Sequence, residues 1–544
     1  MNSIKTSRRD FLGGLSAGLG ASHISTTALG AEAPVFEPTW ASLTSKFAVP
    51  DWFRDAKFGI WAHWGPQCVP MAGDWYGRRM YLQGDWKYRH HLKHYGHPSR
   101  TGYVDLLDGW TAERWEPEKL LDLYQRAGAK YFMALAVHHD NFDTFASTHH
   151  PWNATRIGPK RDVVGTWERL VRERGMKFAI SNHGSHAWHW FQPAYGYDPE
   201  GPLKGARYDA WRLTKSDGRG KSWEGLDPQA LYTGRSMPLP PGMTSIKQAN
   251  DWHEAHDRVW TEASPPHNPY FAELWKARAI DAIDRYRPDL LYFDDTGDLP
   301  LGQAGLDVTA HLYNRGIEWH GVPNQVAATA KELPPEKAAA VIDDVERGNL
   351  SEIAKEPWQS DTCIGDWFYD EGVYMRHEYK TATTVIHRLC DTVSKNGNLM
   401  LSIPIRPDGM LDADEHAILD QIGDWMQINS EAIFGSRPAP IFGEGPTKVP
   451  GGMMDEHSNE PFTAADIRYT RKDDDLYAIA LGLPADRKVR LNAIDTSAVQ
   501  FVRLLGEAAP LPFRREAGGL TIELPDNLSR SHALVFHLPS VLRN

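Results

Sequence analysis

Asp294 and Asp295 follow directly on the apolar run Leu291-Tyr292-Phe293, and Glu346 lies in Ile342-Asp343-Asp344-Val345-Glu346-Arg347-Gly348 after another apolar stretch. A carboxylate placed where a buried barrel strand ends points into the mouth and not into the core. Asp is also common as a helix N-cap or turn residue, and a lone Glu-Arg pair is more often a surface ion pair. Together, two carboxylates on successive strand-end loops supply what glycosidic cleavage needs. One attacks the anomeric carbon, and the other protonates the departing oxygen and then activates water. His138-His139-Asp140 follows the strongest apolar run of the chain, and His63 follows Phe58-Gly59-Ile60. Histidines so placed bind hydroxyls or zinc, but no zinc signature such as H-E-x-x-H is present, and no metal is expected. His90, His91, His94 and His97 are spaced more like ligands, yet Tyr, Lys and Arg interleave them, which predicts a solvated loop. Trp64 suits the core; Trp75, between Asp74 and Tyr76 in a Gly-containing loop, is the better sugar platform.

These residues need a scaffold that brings strand ends together. Short apolar runs, Phe58–Ala62, Tyr131–Val137, Phe178–Ser181 and Leu290–Phe293, read as buried strands. Helix-like stretches at Pro117–Ala127, Val164–Arg174 and Phe271–Tyr286 alternate with them, which predicts a parallel sheet covered on both faces. Nearly 400 residues of this texture favour an α/β fold with a (β/α)8-type barrel over about 34–437. Stretches 66–115 and 183–260, rich in Gly, Pro and Trp, are long insertions where such a barrel builds its site. Trp188, Trp190, Trp211 and Trp223 in the second form either a subsite wall or the insertion's own small core. Asp412–Ala432 reads as a capped amphipathic helix. Beyond Arg437-Pro438-Ala439-Pro440, over 438–544, short alternating runs separated by turn residues predict an antiparallel β-sandwich.

With 59 Lys and Arg against 71 Asp and Glu, the net charge of −12 argues against nucleic acid as a partner. Three cysteines are too few for a disulfide scaffold. No apolar stretch is long enough for a membrane helix. Residues 1–33 have the parts of a signal peptide: Ser7-Arg8-Arg9-Asp10-Phe11-Leu12, a mildly apolar Gly/Ala/Ser-rich stretch, and Ala31-Glu32-Ala33. The arginine pair resembles the twin-arginine export signal. That predicts a periplasmic or secreted protein without membrane insertion once the signal is removed.

Several separated motifs resemble the α-L-fucosidases of glycoside hydrolase family 29. They are Trp52–Ile60 with His63-Trp64-Gly65, Asp74-Trp75-Tyr76, Gly128–Tyr131 leading to His138–Phe142, and Lys160–Gly165. Leu291–Asp294, Pro357-Trp358-Gln359, Gly397–Leu401 and Asn429–Gly435 complete the set, over about 48–440. The resemblance implies a retaining exo-acting hydrolase of fucosylated glycans, with a barrel, a C-terminal sandwich and no cofactor. It assigns the nucleophile to Asp294, the acid/base to Glu346, and sugar binding to His63, Trp75, His138 and His139. The sequence departs from the family where a tyrosine pair is common, with Ser181-Asn182-His183 in its place, so a tyrosine hydroxyl is either missing or replaced by Asn182 or His183. Asp295 stands where a small residue is usual, and Gln359 where Glu is. Another L-sugar such as α-L-galactose is an alternative substrate, and a carbohydrate-binding protein without catalysis is a second alternative.

Overall fold

In the computed structural model, which describes residues 35–258, 263–456, 460–516, 518–529 and 532–542, eight parallel strands close into a barrel in chain order. They are β1 (Phe58–Ala62), β2 (Tyr131–Val137), β3 (Lys177–Asn182), β4 (Leu290–Thr296), β5 (Ala327–Lys331), β6 (Ile342–Glu346), β7 (Trp358–Cys363) and β8 (Gly397–Ser402). β1 closes on β8 from Phe58↔Leu399 to Trp61↔Ser402. Both faces of each strand are covered, so β2 is buried along its whole length and reads as an unbroken apolar run. One face packs on helices such as Val163–Glu173 and Phe271–Tyr286. The other fills the barrel axis with Trp61, Tyr131, Met133, Leu290, Tyr292 and Met400. This is a packed core, not a pore.

The four strands expected from apolar runs and the three early helices form where predicted, within one residue at each end except that β4 runs three residues further. Asp294 and Asp295 belong to the end of β4 itself, because the strand runs on to Thr296. The expectation that the two carboxylates sit on successive strands needs correction. β5 intervenes between β4 and β6, and its small-residue sequence Ala-Ala-Thr-Ala-Lys gives too weak an apolar signal to be noticed. His90, His91 and His94 do not form a solvated loop; they lie on the helix Trp86–His94, with His91 buried.

The insertion after β3 is built from short helices packed around its own aromatic residues. Trp188, Trp190 and Trp223 are almost fully buried and join the apolar core of the catalytic domain, while Trp211 is half-buried against it, so the first three are core and not a subsite wall. The loop after β2 is fixed from two sides. Asn141 donates to the carbonyls of Ala230 and Leu231 at 2.9 and 3.0 Å. Arg278, from the helix before β4, donates to Asp143 at 2.6 and 3.2 Å and to Asn141 at 2.6 Å. Removing one partner of so buried an ion pair costs about 3–5 kcal/mol, so this clamp is a stiff mount for the histidines just before it.

The helix Ala413–Asn429 starts with a capping box between Asp412 and Glu415. The C-terminal region then forms β9 (Arg437–Glu444), β10 (Ile467–Lys472), β11 (Asp475–Ala480), β12 (Lys488–Leu491), β13 (Arg503–Leu504), β14 (Phe513–Glu516), β15 (Gly519–Glu523) and β16 (Leu534–Leu538). They make a five-stranded sheet, β13-β16-β11-β10-β9, and a three-stranded sheet, β12-β15-β14. One apolar core joins the two sheets, with Tyr469, Leu476 and Phe536 meeting Val489, Leu520 and Ile522. The candidate export segment, residues 1–33, lies outside the described residues.

Candidate active site

At the C-terminal ends of the barrel strands lies a cleft of about 530 Å³. His63, Trp75, His138, His139, Asp294 and Glu346, the six residues singled out from the sequence, all line it. Asp295 does not, because successive residues of a strand face opposite ways. It is fully buried, accepts from the Ser185 hydroxyl at 3.1 Å and lies 3.4 Å from His186 Nε2.

The strongest feature of the cleft is a lysine. Lys331, the last residue of β5, places its buried ammonium 2.6 Å from Asp294 Oδ1 and 2.6 Å from Glu346 Oε2. Those two oxygens are therefore no more than about 5.2 Å apart. Burial alone would lower the Lys331 pKa, but Asp294, Glu346, Asp361 and Asp344 outweigh it and hold the ammonium well above its ordinary value. Burial likewise works to raise Asp294, but Lys331, His183 and His139 prevail and keep it ionised well below the usual carboxylate range. His139 Nε2 and His183 Nδ1 each lie 3.3 Å from Asp294 Oδ2. Beneath them Tyr292 donates its hydroxyl to Asp361 at 3.0 Å. Asp361 is raised to about 7 by burial, so the lower carboxylates take up protons where Asp294 does not.

The histidines are oriented by hydrogen bonds to β8 and to the chain just after β1 and β3. His63 Nδ1 meets the Ser402 hydroxyl of β8 at 3.0 Å, His138 Nδ1 the Gln67 amide at 2.6 Å, and His139 Nδ1 donates to the carbonyl of His183 at 3.0 Å. Each ring keeps Nε2 for the cleft side. Burial lowers the pKa values of His63 and His138 well below normal, which keeps both rings neutral. Asp74 is pushed up to about 7 by burial and by the neighbouring Asp366. Trp75 stands edge-on to His139 at 5.8 Å, with the Arg258 guanidinium 5.2 Å from its ring. Trp64, by contrast, packs against Trp110 and Trp115 in the core.

The replaced tyrosine pair resolves clearly. Asn182 turns away, its Oδ1 accepting from the Gly184 amide and from Trp275 Nε1, each at 3.0 Å. His183 takes the place beside the nucleophile candidate. Gln359 sits under the site, donating to Asp344 at 2.7 Å and accepting from Tyr131 at 3.1 Å. Sequence reasoning missed Lys331, Asp74 as a cleft residue, Arg347, Trp367 and the pair Met453-Met454. The motif around Trp75 held the signal for Asp74; a lone Lys after small residues, or two methionines far along the chain, gave none.

Two groups among the described residues have ligand-capable atoms all within 4.8 Å of one another: His63, His138 and His183, and His139, His183 and Asp294. Nitrogens so spaced can bracket a metal ion, and they can equally meet adjacent hydroxyls of one pyranose. Chemically, the cleft pairs an ionised carboxylate with a second carboxylate across one ammonium, beside neutral imidazoles suited to neutral hydroxyl groups.

The α-L-fucosidase family profile matches residues 23–431, and the profile of the α-L-fucosidase C-terminal domain matches 459–539. Tissue α-L-fucosidase of Rattus norvegicus is 25% identical over 498 residues, covering 90% of this chain and 88% of the rat protein. The Homo sapiens tissue enzyme is 24% identical over 512 residues, with 90% and 88% covered. Among solved structures, an α-L-fucosynthase of Thermotoga maritima aligns with a TM-score of 0.67 at 23% identity, covering 93% of this chain and all of that one. The α-fucosidase of the same organism in complex with fucose aligns with a TM-score of 0.65 at 23% identity, covering 92% and 100%. With three quarters of its length matched by the catalytic profile, this chain is an enzyme of the α-L-fucosidase family.

Proposed function

We propose that the protein hydrolyses terminal α-L-fucosyl residues of glycans with retention of anomeric configuration. The observation that carries this reading is the pair Asp294 and Glu346, joined through Lys331 with their near oxygens at most about 5.2 Å apart. In retaining pairs the two carboxyl groups lie about 5–5.5 Å apart, whereas in inverting pairs they stand about 6.5–9.5 Å apart to admit a water, and two carboxylates that share one ammonium suit the closer arrangement. In the first step Asp294 attacks the anomeric carbon, the glycosidic C–O bond breaks, and Glu346 gives its proton to the departing oxygen. In the second, Glu346 takes a proton from water, the resulting hydroxide attacks the same carbon, and the bond to Asp294 breaks. While the sugar is esterified to Asp294, that carboxylate carries no charge, and Glu346 is the nearest remaining counter-ion of Lys331. The neutral His63 and His138, at the ends of β1 and β2, meet the sugar hydroxyls.

The test is proton NMR of an aryl α-L-fucoside during turnover by the mature protein. Release of the α-anomer first is expected; the β-anomer first would exclude retention, and no release would sink the reading, leaving a binding protein. An α-L-galactoside is assayed alongside, because a pocket that only packs on a methyl group rejects an added hydroxyl weakly. EDTA is expected to leave activity intact, since carboxylates and histidines suffice for these steps; loss reversed by zinc would reassign the histidines as metal ligands. We further propose export by the twin-arginine route, from Arg8 and Arg9. Replacing both with Lys should leave precursor in the cytoplasm, and normal processing of that variant would refute it.

A further inference from the structure

The loop between β9 and β10, residues 445–466, is far longer than the two to five residues of most hairpin loops. Part of it reaches back from the C-terminal sheets to the mouth of the barrel. There it runs antiparallel to the chain leaving β6. The Met454 amide donates to the Glu346 carbonyl at 2.7 Å, the Glu456 amide to the Arg347 carbonyl at 2.8 Å, and the Gly452 amide to the Asn349 carbonyl at 3.0 Å. The approach is so close that a Cβ on Gly348 would lie 1.9 Å from the Gly452 carbonyl oxygen. The stretch falls between the two matched family segments, which end at 431 and resume at 459.

A buried carboxylate anchors the loop. Glu456 accepts from the Thr362 hydroxyl at 2.7 Å and pairs with Lys380 at 3.1 Å, Arg388 at 3.2 Å and Arg347 at 3.6 Å. Burial alone would raise its pKa, but Lys380 and Arg388 outweigh that and hold it below its ordinary value, so it stays charged. The anchor holds a pair of methionines at the cleft. Met453 and Met454 line the catalytic cleft, and Met454 is 57% exposed with φ at +60°. A non-glycine residue in the left-handed region persists where the surroundings over-determine it. An exposed thioether held in that conformation at a cleft mouth offers an adaptable apolar surface.

We propose that Met454 forms the wall of a subsite for the leaving group, taking the C–H face of the pyranose to which the scissile sugar is attached. This rests on the reading of Glu346 as acid/base. A general acid must lie within hydrogen-bond reach of the oxygen it protonates, so the leaving group must sit beside Glu346. The residue whose amide is bonded to the Glu346 carbonyl is Met454. Asp294 lies on the other side of Lys331, toward His139 and His183. The catalytic strands thereby define the glycosyl site, and the C-terminal region defines what may be attached to it.

The experiment uses Met454→Gly and Met454→Asn in the full chain, since both residues tolerate positive φ and remove the thioether. For each, kcat/KM is measured on α-L-fucosyl fluoride and on whichever of the (1→2)-, (1→3)-, (1→4)- and (1→6)-linked fucosyl disaccharides the unaltered protein cleaves best. The disaccharide-to-fluoride ratio is expected to fall at least tenfold in both variants, chiefly through KM for the disaccharide. A ratio within twofold of the unaltered protein's in both variants overturns the subsite while leaving the hydrolase reading intact. Failure of the unaltered protein to cleave any fucoside sinks that reading, and the subsite with it.

Discussion

The two walls of the cleft are made differently. On the side of β1 to β4, the side chains are almost fully buried histidines hydrogen-bonded to the barrel, plus a carboxylate facing two of them and Lys331. On the side of β6, Glu346 has the shared lysine, and the wall beyond it is a loop from the C-terminal region carrying an exposed methionine. The first wall is preorganised by strands that cannot move without opening the core. The second is hung on three backbone hydrogen bonds and one buried glutamate. A site that must hold one sugar invariantly while accepting varied partners gains from that division, since rigid strands fix the reacting carbon and a loop can change without disturbing it.

The largest effect should come from the rigid side. Asp294→Gly should lower turnover on the order of 10⁴-fold or more, since no glycosyl-enzyme can form. Azide should then restore activity by entering the vacated face, giving a glycosyl azide of inverted configuration detectable by NMR. Asp295→Asn is the control: its carboxyl is buried behind the cleft lining, against Ser185 and His186, and most activity should remain. A dead Asp295→Asn beside an active Asp294→Asn would exchange the roles of the pair.

Next is the softer side. Glu346→Ala should cost about 10²–10⁴-fold on a disaccharide, whose departing oxygen needs a proton, and far less on an activated aryl fucoside. Azide should here give product of retained configuration. Equal losses on both substrates would remove Glu346 from the role of acid. Lys331 belongs to both walls. Lys331→Met leaves two carboxylates facing each other without their ammonium, and removing one preorganised charged group of this kind costs about 10²–10³-fold in kcat. Lys331→Arg should recover part of the loss. If Lys331→Met is as active as the unaltered protein, the bridging ammonium has no catalytic weight.

How much of this was legible follows the same division. The β1, β2 and β4 runs are apolar because both faces of a parallel strand are covered, so the residues after them could be named as site candidates from the sequence. β5 escaped because Ala327, Ala328 and Ala330 carry little apolar bulk, and a lysine after them looks like any surface lysine. Without an apolar signal for β5, β4 and β6 read as neighbours in the sequence. The insertion's tryptophans were ambiguous because burial against one another and exposure to a substrate leave the same composition. Met454 was invisible for another reason. Its position depends on the long return of a hairpin loop from a separate sheet, and no local pattern encodes a contact over such a separation.

The smallest predicted effect compares two carboxylates within the rigid wall whose pKa values move in opposite directions. Asp294 is held well below its ordinary value, chiefly because Lys331 outweighs the cost of burial. It stabilises the fold above the unfolded-state pKa of about 3.9, and that contribution is lost as pH falls through its depressed native value. Asp74 is raised to about 7 by burial and by Asp366. The folded state then binds more protons than the unfolded state between about pH 4 and 7, so stability must fall as pH rises through that window. Asp74→Asn cannot ionise and should escape this loss. The variant and the unaltered protein should therefore melt close together near pH 4, and the variant should melt higher near pH 8, by a few degrees for about 1–2 kcal/mol. Asp361 and other raised carboxylates titrate in the same range, but they are present in both proteins and cancel in the difference. Thermal melts at pH 4, 6 and 8 measure it. A melting difference that does not change with pH would mean that Asp74 is ionised throughout. It would then meet the sugar as a charged acceptor, like Asp294 in charge if not in role.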